Sequence, residues 1–268
     1  MTTFFLMGAS GRLGRICRNI LLSSGQSFST INRAGDIEYG GKLVGNIFQL
    51  EFNIPGTIFI IDASIDYSSA DNLNAYEDVK REFIFKIKQE ERLEAVVAFS
   101  SGAIEFSDVL ITDAFYQNYK NQKIRLEYFL NELESPFLCL RIYTLIGPES
   151  YKNKTTGWVS VLDKALKSNL VEISDPEEPR SWVSEETVAK HICKFISMPI
   201  GKNILTPISG AFTLSEVVAV AANIKKENIK IFENKKNKWL SVPYVSNRNE
   251  WIDEVVFPDY LLNLYNSK

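Results

Sequence analysis

The sequence predicts an α/β fold built on a doubly wound parallel sheet, with a smaller region toward the C-terminus. Short apolar runs alternate with segments of helical periodicity through most of the first 150 residues. A glycine-rich turn joins the first apolar run to the first helical segment. The chain has 268 residues and is 45% hydrophobic, which is enough to bury a large core beside a smaller companion.

The first strand is "TFFLM", and the turn after it, "GASGRLG", carries Gly8, Gly11 and Gly14. Ile16 and Ile20 then recur at helical spacing. Glycines in this setting let a dinucleotide pyrophosphate approach the backbone at the positive N-terminus of the helix. The spacing is GxxGxxG rather than GxGxxG, so a tight turn without a ligand is the alternative interpretation.

The elements that follow continue the alternation. Strands are predicted at 27–33, 42–50, 56–64, 94–102 and 137–148. Helices are predicted for "NAYEDVKREFIFKIKQEE" and "FYQNYKNQKIRLEYFLNEL". After Pro148 the pattern loosens into polar turns, with one short helix at "SVLDKALKSN" and one strand at 203–209.

Composition excludes several classes of function. The net charge is −3 and the pI about 5.5, so neither nucleic acid nor an anionic membrane is an expected partner. The three cysteines are scattered and His191 is the one histidine, which argues against a disulfide framework, a metal site or a Ser-His-Asp triad. The N-terminus shows no secretory pattern and no apolar run reaches transmembrane length, so we expect a cytoplasmic protein.

Two overlapping Tyr-x-x-x-Lys pairs lie on the second predicted helix: Tyr116 with Lys120, and Tyr119 with Lys123. Residues four apart share a helix face. A nearby cation lowers the pKa of a phenol, which can then act as a general acid toward a carbonyl. Such pairs also occur on ordinary surface helices, so the pattern alone is weak evidence.

The second pair is the better placed of the two. From Tyr119 and Lys123 the same face continues to Leu126 and Leu130, which are expected to face the core. The face of the other pair continues to Arg125 and is expected to be wetter. We therefore select Tyr119 and Lys123.

Paired serines, Ser100 and Ser101, end the strand that precedes this helix. In a parallel sheet, ligands bind at the carboxyl ends of the strands. A hydroxyl there can hold a substrate oxygen against the tyrosine, although serines at strand ends also form ordinary turns.

Five segments occur in an order that resembles the extended short-chain dehydrogenase/reductases, the NAD-dependent epimerase/dehydratase family that acts on sugar nucleotides. They are "GASGRLGR", "VVAFSSGAI", "YKNQKIRLE", "LRIYTLIGP" and "RSWVSEETVAKHI", and they extend over nearly the whole chain. In that family the lysine of YxxxK is followed four residues later by Glu, and here only Lys123 is, by Glu127.

The resemblance implies a catalytic set of Ser101, Tyr119 and Lys123. Tyr119 would be the acid/base, Lys123 would lower its pKa and hold the nicotinamide ribose, and Ser101 would orient the substrate oxygen. The implied organisation is a Rossmann-type domain over residues 1–150, with residues 183–212 returning to it, and a small C-terminal substrate-binding region over 151–182 and 213–268.

Cofactor contacts are expected from the glycine turn, the end of the second strand and the catalytic helix. The expected residues are Gly8, Ser10, Gly11, Arg12, Leu13, Gly14, Asn32, Arg33, Asn46, Ile47, Ala63, Tyr119, Lys123 and Tyr143. Arg33 and Arg12 fall where a 2′-phosphate would be met, which favours NADP over NAD. Asp36 is the argument for NAD, because an acid after the second strand can bind a ribose hydroxyl.

The resemblance favours an NADPH-dependent reductase of a keto group on a nucleotide-linked 6-deoxysugar, with Ser101, Gly102 and Arg180 contacting the substrate and no metal. Gly102 and Ala103 stand where the dehydratases of the family carry an acidic pair, so dehydration is disfavoured. An epimerase of the same family and a non-catalytic NADP-sensing protein stay open as alternatives. A nucleotide sugar is the expected partner, and a homodimer is compatible with the sequence.

Overall fold

The secondary structure is taken from a computed structural model, which describes residues 3–32, 34–49, 57–61, 81–83, 85–86, 93–110, 114–152, 157–234, 243–246 and 256–267. The strands within these ranges are β1 (Thr3–Met7), β2 (Phe28–Ile31), β3 (Asp36–Tyr39), β4 (Lys42–Asn46), β5 (Thr57–Ile61), β6 (Leu93–Ser101), β7 (Phe137–Ile142), β8 (Thr144–Ile146), β9 (Leu170–Ile173), β10 (Arg180–Ser184), β11 (Lys202–Leu205), β12 (Gly210–Phe212) and β13 (Lys230–Glu233). The helices are α1 (Arg12–Ser23), α2 (Ala114–Asn131), α3 (Pro148–Tyr151), α4 (Gly157–Lys167), α5 (Glu185–Ser197), α6 (Leu214–Lys225) and α7 (Phe257–Asn266). Residues 81–83 and 85–86 are also helical, and Gly102–Glu105 and Asp108–Leu110 form short 3-10 helices.

The chain divides into two compact units. The first unit consists of Met1–Ser100, Arg125–Leu140 and Ala189–Leu205, and the second of Ser101–Ile124, Arg141–Val188 and Thr206–Lys268. The boundaries expected from the sequence for a substrate-binding region stay a prediction.

The first unit contains an eight-stranded sheet in the order β11-β7-β6-β5-β1-β2-β3-β4. β1 pairs in parallel with both β2 and β5, so the strand order reverses beside β1. Every residue of β6 except Glu94 is buried, as is usual for a parallel strand covered on both faces. The arrangement is an α/β sheet with a topological switch point, as the alternating sequence pattern predicts.

The edge of this sheet departs from the prediction. β2, β3 and β4 pair antiparallel, so the strand predicted at 42–50 is a short antiparallel edge strand and not part of a parallel sheet. Gly40 and Gly41, with φ of 57° and 77°, form the tight turn between β3 and β4. Left-handed backbone at both positions suits a two-residue hairpin, which the local sequence could have indicated.

The core of the first unit explains why α2 lies where it does. Phe5 and Met7 of β1 belong to one buried cluster with Leu126 and Leu130 of α2. The stripe of leucines therefore faces the core, as the sequence predicts. Phe4 points to the other side of β1, where it lines a surface cavity with Ile20 of α1 and Ile196 of α5. None of these three residues belongs to the buried cluster that contains Phe5 and Met7.

The second unit is built on two small sheets, β12-β10-β8 and β13-β9. Its buried cluster gathers Trp158 of α4, Trp182 of β10, Val217 of α6 and Leu261 of α7. The short helix predicted at "SVLDKALKSN" is α4, and the strand predicted at 203–209 is β11, which belongs to the sheet of the first unit. Within the part of the chain that the structure describes, no helix is both long and apolar enough to cross a bilayer.

Candidate active site

The glycine turn forms the strand-to-helix connection that its sequence predicts. Gly8 adopts the left-handed region with φ of 85°, and the Gly11 N–H donates to the Gly8 carbonyl at 2.9 Å. Gly11 is the N-cap of α1 and has no side chain to bond the first helical N–H groups. Those N–H groups, which have no partner within a helix, are suited to bind an anion.

Gly14 is required for a different reason. A Cβ on this residue would lie 2.0 Å from the Gly8 carbonyl oxygen, so any side chain would push α1 off the turn. Such close packing of helix on turn is the role of the last glycine in a dinucleotide-binding turn. Ser10 and Arg12 are exposed and Leu13 is half-buried, and Arg15 Nη1 donates to the Ser10 carbonyl at 2.5 Å.

A polar network follows β2 in the first unit. Asn32 Nδ2 donates to Asp36 Oδ2 at 3.1 Å, and Asn46 Nδ2 donates to Asp36 Oδ1 at 2.9 Å. The bond from Asn46, followed by that from Asn32, lowers the pKa of Asp36. The two carboxylate oxygens thus join Asn32, after β2, to Asn46 at the end of β4.

Three of the expected cofactor residues are placed differently or lie outside the described residues. Ile47 is fully buried in the core cluster, and its N–H donates to the Gly35 carbonyl at 2.7 Å. Arg33 and Ala63 lie outside the described residues. Their contribution to cofactor binding stays a prediction.

Ser101 is the last residue of β6 and the N-cap of the 3-10 helix Gly102–Glu105. The residue is 2% exposed, and its hydroxyl accepts the Ala103 N–H at 3.2 Å. The Tyr244 hydroxyl lies 3.4 Å from the same Oγ atom. The neighbouring Ser100 Oγ is buried with no hydrogen-bond partner among the described residues.

Tyr119 and Lys123 share one face of α2. Lys123 Nζ lies 5.4 Å from the centroid of the Tyr119 ring, within the range of a cation–π contact. Lys123 is 4% exposed, and Tyr119 is half-buried. Burial, followed by the charge of Tyr119, raises the pKa of Tyr244, whose hydroxyl lies 3.4 Å from Ser101 Oγ.

The helix face of Tyr116 and Lys120 was expected to be solvent-exposed, and for Lys120 this expectation is wrong. This lysine is 6% exposed; its Nζ donates to the Phe106 carbonyl and pairs with Asp108 Oδ1 at 2.8 Å. The short 3-10 segments after β6 cover this face, which a helical wheel cannot show. Lys120 therefore anchors α2 to those segments, and this structural role is a better reason to select Lys123.

Glu105 is a buried acid that the sequence reasoning missed. Its side chain is 7% exposed, and its Oε2 accepts the Tyr143 hydroxyl at 2.7 Å and the Ser246 hydroxyl at 3.1 Å. Its Oε1 accepts the Thr206 hydroxyl at 3.1 Å and lies 4.0 Å from Arg141 Nη1. Three separate segments of the second unit, around residues 141–143, 206 and 246, converge on one carboxylate.

Tyr143 and Gly102, expected to contact cofactor and substrate, pack against each other. A Cβ on Gly102 would lie 2.3 Å from two carbons of the Tyr143 ring. Burial, then the bond to Glu105, raises the pKa of Tyr143, which stays protonated and donates to that carboxylate. The two residues shape the wall beside Ser101.

Arg180 begins β10, where it pairs with Phe212. Its side chain is 24% exposed, and its Nη2 lies 3.5 Å from Glu178 Oε2. The buried Nε has no hydrogen-bond partner among the described residues. The guanidinium therefore keeps donor capacity for an anionic ligand. Among the same residues, no group of His, Cys, Asp and Glu side chains could hold a metal ion.

No family model and no curated protein matches the chain. Solved structures match over almost its full length. A mutant of UDP-glucuronic acid 4-epimerase from Bacillus cereus, in complex with NAD and a fluorinated UDP-glucuronic acid, matches with a TM-score of 0.71, 12% identity, and coverage of 99% of this chain and 98% of that one. RMD from Pseudomonas aeruginosa complexed with NADPH matches with a TM-score of 0.70, 12% identity, and coverage of 99% and 97%. MoeE5 in complex with UDP-glucose and NAD matches with a TM-score of 0.66, 17% identity, and coverage of 98% and 93%. The predicted α/β fold is thereby confirmed.

Proposed function

We propose that this protein is an extended short-chain dehydrogenase/reductase that uses NADPH to reduce a keto group on a nucleotide-linked 6-deoxysugar. The observation that carries the proposal is the grouping of the buried Ser101 hydroxyl, the Tyr119 phenol and the Lys123 ammonium within one compact unit. The similar folds are those of proteins solved with NAD or NADPH and, in two cases, with a UDP-linked sugar ligand. This likeness supports the substrate class.

The chain's residues handle the proton and the substrate oxygen, and NADPH supplies the hydride when it is bound. Tyr119 Oη holds the proton that passes to the carbonyl oxygen as the alcohol forms. The Lys123 ammonium stabilises the phenolate left behind, and the Ser101 O–H donates to the same substrate oxygen. The lysine is buried, so its charge acts through little water and is more effective there.

The cofactor turn fits a dinucleotide. The uncapped N-terminus of α1 and the close packing at Gly14 leave backbone N–H groups for a pyrophosphate. The hydrogen bonds from Asn32 and Asn46 to Asp36 support NADP over NAD.

Arg33→Ala should weaken NADPH binding about tenfold or more and leave NADH binding unchanged, because a charge-assisted hydrogen bond contributes ~1.5–3 kcal/mol. Arg18→Ala, which removes an exposed arginine from α1, is the matched control. Equal losses for both cofactors in Arg33→Ala would contradict the NADP assignment.

The substrate is tested by the oxidation of NADPH in the presence of a nucleoside-diphosphate 4-keto-6-deoxyhexose, with the free keto sugar as a control. Arg180→Ala should raise KM for the nucleotide sugar and hardly affect NADPH. Lys164→Ala, an exposed cation on α4, should change neither value. Equal reduction of the free sugar would show that the diphosphate is not recognised. Tightly retained cofactor with no net oxidation of NADPH would indicate an epimerase instead.

A further inference from the structure

We propose that Tyr244 is a positioning residue whose hydroxyl sets the direction in which Ser101 donates its own proton. The proposal rests on the proposed function, in which Ser101 bonds the substrate oxygen. Tyr244 lies far from Ser101 in sequence, and no motif of the chain includes it. Its hydroxyl is 3.4 Å from Ser101 Oγ.

The short segment that carries Tyr244 is firmly attached to the second unit. The Tyr244 carbonyl accepts the Ser181 N–H at 3.0 Å, and the Ser246 N–H donates to Ser181 Oγ at 2.9 Å. The Ser246 hydroxyl also donates to Glu105. Bonds at the Tyr244 carbonyl and at Ser246, two residues later, therefore determine where the Cα of Tyr244 lies.

The ring of Tyr244 is held as firmly as its backbone. It stacks on Phe106 with 5.8 Å between centroids and an angle of 29°. It also packs against Tyr143 with a centroid distance of 4.7 Å. Two aromatic contacts limit the ring's rotation, so the hydroxyl is aimed at Ser101. These contacts belong to the ring and survive when only the hydroxyl is removed.

The hydrogen-bonding capacity of Ser101 limits the direction in which its hydroxyl can donate. A serine hydroxyl has two lone pairs and one proton. Ala103 N–H donates to Ser101 Oγ, and a donation from Tyr244 takes the second lone pair. The proton of Ser101 is then directed toward a third partner, the substrate oxygen.

The phenol is suited to act as the donor. Burial, followed by the charge that Tyr119 develops, raises the pKa of Tyr244, which therefore keeps its proton at neutral pH. Because the Tyr244 hydroxyl keeps its proton, it can donate to Ser101 Oγ and leave the Ser101 proton for the substrate oxygen. The 3.4 Å separation is longer than a formed O–H···O bond, and catalytic hydrogen bonds commonly tighten when substrate binds.

The test is Tyr244→Phe, which keeps the ring and removes the hydroxyl. We expect kcat to fall about five- to tenfold with KM little changed, the size of one net hydrogen bond. The kcat of Ser101→Ala should be lower still. The kcat of the double variant should equal that of Ser101→Ala, because Tyr244 acts only through Ser101. Tyr128→Phe, on a 69% exposed tyrosine of α2, is the matched control.

Three outcomes overturn the proposal: unchanged kcat in Tyr244→Phe, additive losses in the double variant, or an increase in activity, which would make Tyr244 an obstruction. A second measurement does not depend on turnover. In protein labelled with ¹³C at tyrosine Cζ, the Tyr244 signal, assigned by its loss in Tyr244→Phe, should shift in Ser101→Ala. It should stay in place in Ser168→Ala, an exposed serine elsewhere in the second unit. If the wild-type protein reduces no keto sugar, the proposed function fails and this signal alone decides whether Tyr244 bonds Ser101.

Discussion

Replacing Glu105 by Gln tests how the second unit holds its candidate site together. Gln keeps the volume but exchanges one acceptor oxygen for a donor nitrogen. If the nitrogen takes the position of Oε2, it faces the hydroxyls of Tyr143 and Ser246, which donate to Glu105 at 2.7 Å and 3.1 Å in the wild type. In the Oε1 place it meets the Thr206 hydroxyl at 3.1 Å and the Arg141 guanidinium at 4.0 Å.

The loss of stability depends on which hydrogen bonds of Glu105 the amide nitrogen cannot accept. A hydrogen bond to a charged acceptor contributes a net ~1.5–3 kcal/mol. The amide keeps its bonds on the side of its oxygen and loses the charge that strengthened all of them. We therefore expect Glu105→Gln to lower the free energy of unfolding by about 2–4 kcal/mol. The loss should extend to turnover, because Tyr143 and Ser246 position the residues around Ser101.

Urea unfolding followed by tryptophan fluorescence is the assay. Trp158 and Trp182, 3% and 0% exposed, report on the core of the second unit. Glu134→Gln, which makes the same chemical change on an exposed loop, is the control. A midpoint for Glu105→Gln within error of that for Glu134→Gln would refute the argument that Glu105 holds these segments together.

Three further predictions concern the same unit. Tyr119→Phe should lower kcat about a hundredfold or more without loss of folding, and Tyr116→Phe should have little effect; the reverse order in steady-state kinetics would show that the wrong pair was selected. Gly102→Ala should destabilise by ~1–3 kcal/mol in urea, because its Cβ would lie 2.3 Å from the Tyr143 ring, and this cost should shrink in a Tyr143→Leu background. Burial raises the pKa of Glu185, so its protonated form contributes stability below the unfolded value of 4.5, and this contribution is lost as the pH rises through the folded pKa. As the pH rises from about 4.5, the urea midpoint of the wild type should therefore fall relative to that of Glu185→Gln. A constant difference between the two midpoints would contradict a raised pKa for Glu185.

Local features of the sequence were sufficient for the elements around the glycine turn. Gly8 and Gly14 are close in sequence to the strand and helix they join, so spacing alone predicted both. The unbroken apolar run of β6 predicted a parallel buried strand, because such strands are covered on both faces. The pairing of Tyr119 with Lys123 follows from helical periodicity, which is likewise a short-range property.

Long-range contacts were beyond such reasoning. Tyr244 meets Ser101 across 143 residues of chain, and Ser246 meets Glu105 across 141. Neither pair leaves a periodic signal, because each contact depends on how separate segments return to one place. Lys120 shows the same limit on a helix: its exposure is decided by the 3-10 segments that cover it, and not by its position on the helical wheel.

The alternation of the chain between its two units has a consequence for biosynthesis. β7 is complete at Ile142, but its neighbour at the sheet edge, β11, ends at Leu205 of 268 residues. On the ribosome, the edge of β7 that faces away from β6 therefore stays unpaired until β11 emerges, and open strand edges of this kind recruit other chains. A nascent or truncated polypeptide that stops near residue 150 would keep that edge open permanently. Solubility should thus be gained late in translation, once residue 205 has left the exit tunnel, and early termination or a slow codon cluster before that point should divert the product into aggregates.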